Sequence, residues 1–203
     1  MTNIRKHSSS LRTFVLLAEL GIVPALQGCV EMAVVGAGAA AMAADDRRSV
    51  GTQAEDKNIG VRAESRVNDR FGDKVHINVT SYNRNVLLTG EAPDAATKTA
   101  IEGIVREIPN VRGVVNEVQI AGVSSSSARG NDSYLTSKVK ARFVDSSSGI
   151  SANDVKVVTE SSVVYLLGLV TRKEADAAVE IARTTGGVQK VVRVFEYIEP
   201  PSK

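Results

Sequence analysis

Hydrophobic and polar positions follow one pattern twice along the chain, the second copy displaced from the first by about 77 residues. Each copy opens with an aspartate, followed by three apolar residues at spacings of three and four. This spacing predicts an amphipathic helix with the aspartate near its N-cap. The matched pairs are Asp56 with Asp132, Ile59 with Leu135, Ala63 with Val139, and Val67 with Phe143. The repeat predicts two small domains of the same fold.

Two short apolar stretches follow the first helix in each copy, and their alternation with polar residues predicts a pair of β-strands. The second stretch closes on Gly90 or Gly168, which predicts a close approach of another backbone segment. A second helix starts near Asp94 or Thr171, and a valine-rich strand completes each copy. We expect two tandem α+β domains of order αββαβ. In each, two helices cover a three-stranded mixed sheet, whose last strand is parallel to a neighbour because a helix precedes it.

The domain boundaries follow from changes in composition. The first domain is predicted to occupy residues 56–122 and the second residues 131–200. Residues 123–130 contain four consecutive serines, which is typical of a flexible linker that would let the domains reorient. Residues 45–55 are polar and lack apolar periodicity, which is typical of a tether.

The N-terminal segment has the features of a signal peptide at residues 1–28. Basic residues precede an apolar stretch, and Leu26-Gln27-Gly28-Cys29 follows, a tetrapeptide similar to the bacterial lipobox. That similarity implies a diacylglyceryl group on the Cys29 thiol, cleavage before Cys29, and acylation of the new amine. Several acyl chains give durable anchoring. Residues 29–55 would then be the lipidated cysteine and its tether. In similar lipoproteins an Asp directly after the cysteine favours retention in the inner membrane. Val30 in that position therefore implies the outer membrane, facing the periplasm.

Two other interpretations of this segment are open. The apolar run could continue to Ala44 as a transmembrane helix, or the chain could be cytosolic with an unmodified cysteine. Glu19, Pro24 and Glu31 divide the run, and a charge at the centre of a membrane helix costs about 2.5–3.5 kcal/mol. A continuous span is therefore disfavoured.

Composition argues against several classes of function. With one Cys and two His in the whole chain, a disulfide, a catalytic triad or a histidine-rich metal site has little material, so we expect neither an enzyme nor a cofactor. Without the signal peptide, acidic and basic residues balance, which disfavours nucleic acid as a partner. His76 alternates with apolar neighbours and is predicted to be an exposed strand residue. Arg62, Arg66 and Arg70 alternate with acidic residues, as on an ordinary charged surface.

The ordered repeat resembles the BON-domain family. The strand motifs that carry the resemblance are Leu87-Leu88-Thr89-Gly90 and Leu166-Leu167-Gly168-Leu169-Val170-Thr171. Members with two such domains behind a lipid anchor are similar over nearly the whole mature chain, through Cys29, Arg48-Ser49-Val50-Gly51-Thr52-Gln53 and Asn131-Asp132-Ser133-Tyr134.

The resemblance implies a non-catalytic outer-membrane lipoprotein that binds anionic phospholipid, supports outer-membrane integrity and gathers at the division site. It places the lipid contact on the first helix of the second domain. The residues expected there are Tyr134, Ser137, Lys138, Ala141 and Arg142. A tyrosine beside cations suits the bilayer interface. Two alternatives stay open. The helix surface could be an ordinary solvated face, or the protein could be an adaptor that binds envelope proteins without lipid.

Overall fold

Both copies of the repeat have the predicted order of elements in a computed structural model, which describes residues 46–145, 150–151 and 153–200. The first domain consists of α1 (Val50–Phe71), a 3-10 turn (Gly72–Lys74), β1 (His76–Tyr82), β2 (Asn85–Ala92), α2 (Ala95–Arg106), β3 (Gly113–Asn116) and β4 (Gln119–Ile120). The second consists of α3 (Ser126–Asp145), β5 (Val155–Glu160), β6 (Val163–Val170), α4 (Arg172–Arg183) and β7 (Lys190–Tyr197). The prediction of an α+β fold is confirmed.

The second strand of each domain is central in its sheet. β2 pairs with β1 antiparallel and with β3 and β4 parallel, and β6 pairs with β5 antiparallel and with β7 parallel. The first domain has four strands where three were predicted, because its last strand is interrupted at residues 117–118. There the Val118 amide donates to Asn116 Oδ1 at 3.2 Å and the Val118 side chain is buried in the core.

The two glycines in the central strands lie where another backbone passes close by. A Cβ on Gly90 would lie 1.9 Å from the carbonyl oxygen of His76, and one on Gly168 would lie 2.4 Å from that of Asp154. Gly90 also has a φ of 109°, a conformation that side chains disfavour. The close approach predicted from sequence is confirmed, although each strand continues for two residues beyond its glycine.

The repeated aspartates lie inside helices and are not N-caps, contrary to the prediction. The cap of α1 is Ser49, whose hydroxyl accepts from the Thr52 amide at 3.1 Å, so the predicted tether is helical from Val50. The buried Asp56 carboxylate instead accepts from the backbone amides of Asn83 and Arg84 at 2.8 and 2.7 Å.

Asp132 binds the corresponding turn of the second domain. Its carboxylate accepts from the amides of Ser161 and Ser162 at 2.9 and 2.8 Å. The two turn residues have positive φ values in both domains, 50° and 65° in the first and 50° and 62° in the second, as the tight turns of β-hairpins require. Each aspartate therefore ties the first helix of its domain to the hairpin behind it.

The sheets of the two domains pack against each other, with the helices on the outer faces. Tyr82 and Leu87 of the first domain form one buried cluster with Tyr165 and Leu167 of the second. Hydrogen bonds from Asn78 Nδ2 to Glu160 and from Asn83 Nδ2 to Glu196 cross the same interface. The prediction that the domains reorient is therefore wrong, because separating them would expose this cluster to water.

The connection between the domains is largely helical. Residues 126–130, predicted as part of a serine-rich linker, form the first turns of α3. Only residues 121–125 connect β4 to that helix. The segment before α1 is also held in place, since Arg47 donates to Glu174 at 2.7 Å and Arg48 to Asp56 at 2.8 Å.

Candidate functional site

The candidate surface is the outward face of α3. Leu135, Val139 and Phe143 are buried against the second sheet, as their spacing predicted. On the opposite side of the helix, Tyr134 is 63% exposed and Val144 is 77% exposed. Ser137 and Ala141 are exposed between them. These four residues recur every three or four positions and form one stripe along the helix, which we call the α3 face.

Lys138 flanks the α3 face beside its tyrosine. The ammonium lies 5.5 Å from the centroid of the Tyr134 ring and donates to the carbonyl oxygen of Gly186 at 2.7 Å. An ammonium over an aromatic ring is attracted by the ring quadrupole. The loop after α4 thus holds the cation next to the ring, where both can meet the same ligand.

Arg142 lies one turn further along, at the end of α4. Its Nη1 donates to the Ile181 carbonyl at 2.8 Å and to the hydroxyls of Thr184 and Thr185 at 3.0 and 2.9 Å. Carbonyl groups at a helix C-terminus attract cations. All three of these contacts are made by Nη1 of the guanidinium.

The α3 face is locally electropositive, although acidic and basic residues balance over residues 29–203. Lys138, Lys140 and Arg142 flank it, while the nearby Asp132 carboxylate is buried against the hairpin turn. The Asp132 carboxylate is therefore directed away from the surface that carries these cations. An aromatic ring, small side chains and cations together suit the interface of a negatively charged bilayer.

The five residues expected to contact lipid lie on the outward side or at the flank of the helix, and their role as contacts stays a prediction. The sequence prediction did not include the exposed Val144. Its position three residues after Ala141 continues the stripe, which was a usable signal. Cys29, the predicted lipid-anchor residue, lies outside the described residues. Among the residues that the structure does describe, no helix has the length and apolar character to cross a bilayer.

His76 is not the exposed strand residue that the alternation predicted. Its imidazole is half-buried, and Nδ1 lies 3.0 Å from Glu91 Oε2. The buried Glu160 of the second domain lies beside this pair and accepts from Asn78 at 2.7 Å. Burial raises the pKa of Glu160, and the charge of Glu91 raises it further.

Comparison with known proteins identifies the fold. The BON domain family matches residues 60–122 and 131–199, which correspond to the two repeats. The chain belongs to the BON domain family. The resemblance noted in the sequence is thereby confirmed, and the family match covers well over half of the chain.

Two relatives are similar to this BON-domain chain over most of their length. Outer membrane lipoprotein DolP of Haemophilus influenzae is 37% identical over 183 residues, 89% of this chain and 94% of the relative. The 21 kDa hemolysin of Actinobacillus pleuropneumoniae is 31% identical over 156 residues, 76% of this chain and 80% of the relative. A solved structure of CdsD, a type III secretion protein of Chlamydia trachomatis, is 13% identical with a TM-score of 0.29, covering 71% of this chain and 94% of that one.

Proposed function

We propose that this protein is an outer-membrane lipoprotein that binds anionic phospholipid through the α3 face of its second BON domain. Its anchor is the acylated Cys29, and it faces the periplasm. The similarity to an outer membrane lipoprotein over most of both chains supports the location. In this proposal the protein supports the integrity of the outer membrane and acts at the division site.

The exposed Tyr134 beside Lys138 is the observation that carries the lipid-binding proposal. A solvated helix face needs no aromatic ring, and a ring that is 63% exposed loses favourable burial unless a partner covers it. At the depth of lipid headgroups, the ring contacts the acyl boundary while its hydroxyl and the neighbouring ammonium remain in the polar layer.

Because of the lipid anchor, weak contacts with headgroups are sufficient to hold the second domain on the membrane. Each basic residue near an anionic surface contributes about 1 kcal/mol, so the three cations around the α3 face would give only weak binding to a free domain. A domain already tethered to the membrane binds it as an intramolecular event, with a high effective concentration of lipid. The same tether makes dissociation of the domain reversible without loss of the protein from the membrane.

Vesicle flotation with the chain from residue 30 onward tests the proposal, because that chain carries no acyl group. We expect it to float with vesicles rich in phosphatidylglycerol, less in high salt, and not with phosphatidylcholine vesicles. Lys138→Glu should weaken binding by about 2 kcal/mol, roughly 30-fold, because it replaces one attraction with one repulsion. Tyr134→Ala should also weaken it.

The repeat supplies a matched control. Arg62 on α1 occupies the position equivalent to Lys138 on α3 and is exposed, so Arg62→Glu makes a similar change of net charge on the other domain. Equal losses for Arg62→Glu and Lys138→Glu would show that overall charge, and not the α3 face, governs binding. No flotation of the unmutated chain at low salt would favour a role as a protein-binding adaptor.

A further inference from the structure

Three side chains that can coordinate a metal meet between the two domains. His76 of β1 and Glu91 of β2 belong to the first domain, and Glu160 of β5 belongs to the second. One ligand atom from each residue lies within 4.8 Å of the other two. We call these residues the interdomain triad.

The two carboxylates of the interdomain triad are buried, and within the described residues neither has a lysine or arginine partner. Glu91 is 4% exposed and Glu160 is 3% exposed. Within the described part of the chain, neither forms an ion pair with a lysine or arginine. Glu91 accepts from the Ser124 amide at 3.3 Å in addition to its contact with the imidazole. Adjacent buried carboxylates without a cation are costly, so a bound cation would offset both charges.

A cleft gives a small cation access to this position. It has a volume of about 430 Å³, and His76 and Glu160 both line it. Arg129 lines it too, but its guanidinium donates to the Ser124 carbonyl at 3.1 Å and to the Ser126 hydroxyl at 3.2 Å. The cleft can also supply the water that completes a coordination sphere when the protein offers only three ligands.

The donor set selects the kind of metal. One imidazole nitrogen with two carboxylate oxygens suits zinc and similar transition metals, whereas calcium and magnesium prefer oxygen ligands alone. Bonds of about 2.0–2.1 Å in a tetrahedral site place the donor atoms about 3.3 Å apart. His76 Nδ1 and Glu91 Oε2 lie 3.0 Å apart, somewhat closer than this spacing. The ligand atom of Glu160, which lies within 4.8 Å of both, would have to move closer to complete the site.

We propose that the interdomain triad binds one zinc ion or a similar divalent transition metal. Because the ligands come from both domains, the bound metal links the two sheets at one edge of their interface. It stabilises the packed arrangement in proportion to its binding free energy. This site is separate from the α3 face and does not depend on lipid binding.

Equilibrium dialysis of the purified full-length lipoprotein in detergent, stripped with a chelator and then exposed to zinc, tests the proposal by elemental analysis. We expect one zinc per chain, with His76→Asn and Glu160→Gln each weakening binding at least ~10-fold. Glu64→Gln is the matched control, since Glu64 lines the same cleft outside the triad and its loss should leave zinc affinity unchanged.

Cobalt substitution adds a readout of coordination. The cobalt-loaded protein should give the intense visible absorption of a tetrahedral site, and Glu160→Gln should lose it while keeping the circular dichroism of the folded chain. Because glutamine has nearly the same size and shape as glutamate, the Glu160→Gln variant still tests the proposal if His76→Asn fails to fold. Absence of zinc binding, or equal binding by the unmutated chain, Glu160→Gln and Glu64→Gln, would overturn the proposal.

Discussion

Asp132 and Asp56 show how a single buried carboxylate can organise each repeat. Both lie within a helix and accept hydrogen bonds from the amides of a hairpin turn. The amides that they satisfy belong to residues with positive φ, which are strained without glycine. The carboxylates therefore stabilise a turn conformation that the local sequence alone disfavours.

Replacing Asp132 by alanine should destabilise the second domain. The change removes the acceptor for two amides and leaves a cavity beside the turn, which should cost about 2–3 kcal/mol. The free energy of unfolding in urea measures the effect. Asp69→Ala on the exposed side of α1 is the control. If both variants lost the same small amount of unfolding free energy, Asp132 would not support the turn.

The ion pair between Arg47 and Glu174 makes the free energy of unfolding depend on pH. Hydrogen bonding to Arg47 is the largest cause that lowers the pKa of Glu174, from 4.5 to about 2. A carboxyl whose pKa falls on folding stabilises the protein above its unfolded pKa, and that contribution is lost as the pH falls through the folded pKa.

Arg47→Gln should therefore lower the free energy of unfolding by about 1 kcal/mol at pH 7, the upper range for a solvent-screened pair. The difference between the variant and the unmutated chain should shrink between pH 4.5 and pH 2, where the carboxyl becomes protonated in both states. Urea unfolding at a series of pH values measures it. A difference that stays constant down to pH 2 would mean that the pair does not contribute through charge.

At the level of elements, periodicity was enough to predict the succession of helices and strands along the chain, but not the order of strands in each sheet or the burial of both sheet faces. Residues 86–88 and 164–167 are continuous apolar runs, and such runs are typical of strands that are covered on both sides. From sequence, only the two helices of each domain were expected to cover its sheet. The second face is covered by the other domain, which no local pattern specifies.

The start of α1 and the fate of the serine-rich segment were also beyond local reasoning. Polar residues 45–49 carry no apolar stripe, yet Arg47 and Arg48 fix this segment through ion pairs with Glu174, Asp46 and Asp56. Serine at residues 126–127 is compatible with a helix start as well as with a linker. Contacts distant in sequence decided both cases.

A double-mutant cycle across the domain interface tests whether the sheets are packed together. Leu87→Ala and Leu167→Ala truncate residues of the same cluster from opposite domains, so their effects on the free energy of unfolding should couple by about 0.5–3 kcal/mol. Val139 belongs to the separate core of the second domain. Leu87→Ala combined with Val139→Ala should therefore be nearly additive. Additivity in both pairs would contradict the packed interface.

At the scale of the whole molecule, the duplicated fold presents two different outer surfaces. The first helix of each domain buries its apolar stripe in the same way, but α1 carries Asn58 where α3 carries Tyr134. The position of Lys138 is taken in α1 by Arg62, which alternates with acidic residues. The core positions are alike in the two copies and the exposed positions differ, which is why we assign lipid binding to the second domain alone.

The most direct test of that assignment is a heteronuclear NMR titration of the chain from residue 30 onward with anionic lipid micelles. We predict that the amide resonances of Tyr134, Lys138, Ala141 and Val144 shift, that Lys138→Glu suppresses these shifts, and that Arg62→Glu does not. Shifts confined to α1, or no shift on α3 at saturating lipid, would contradict lipid binding by the second domain.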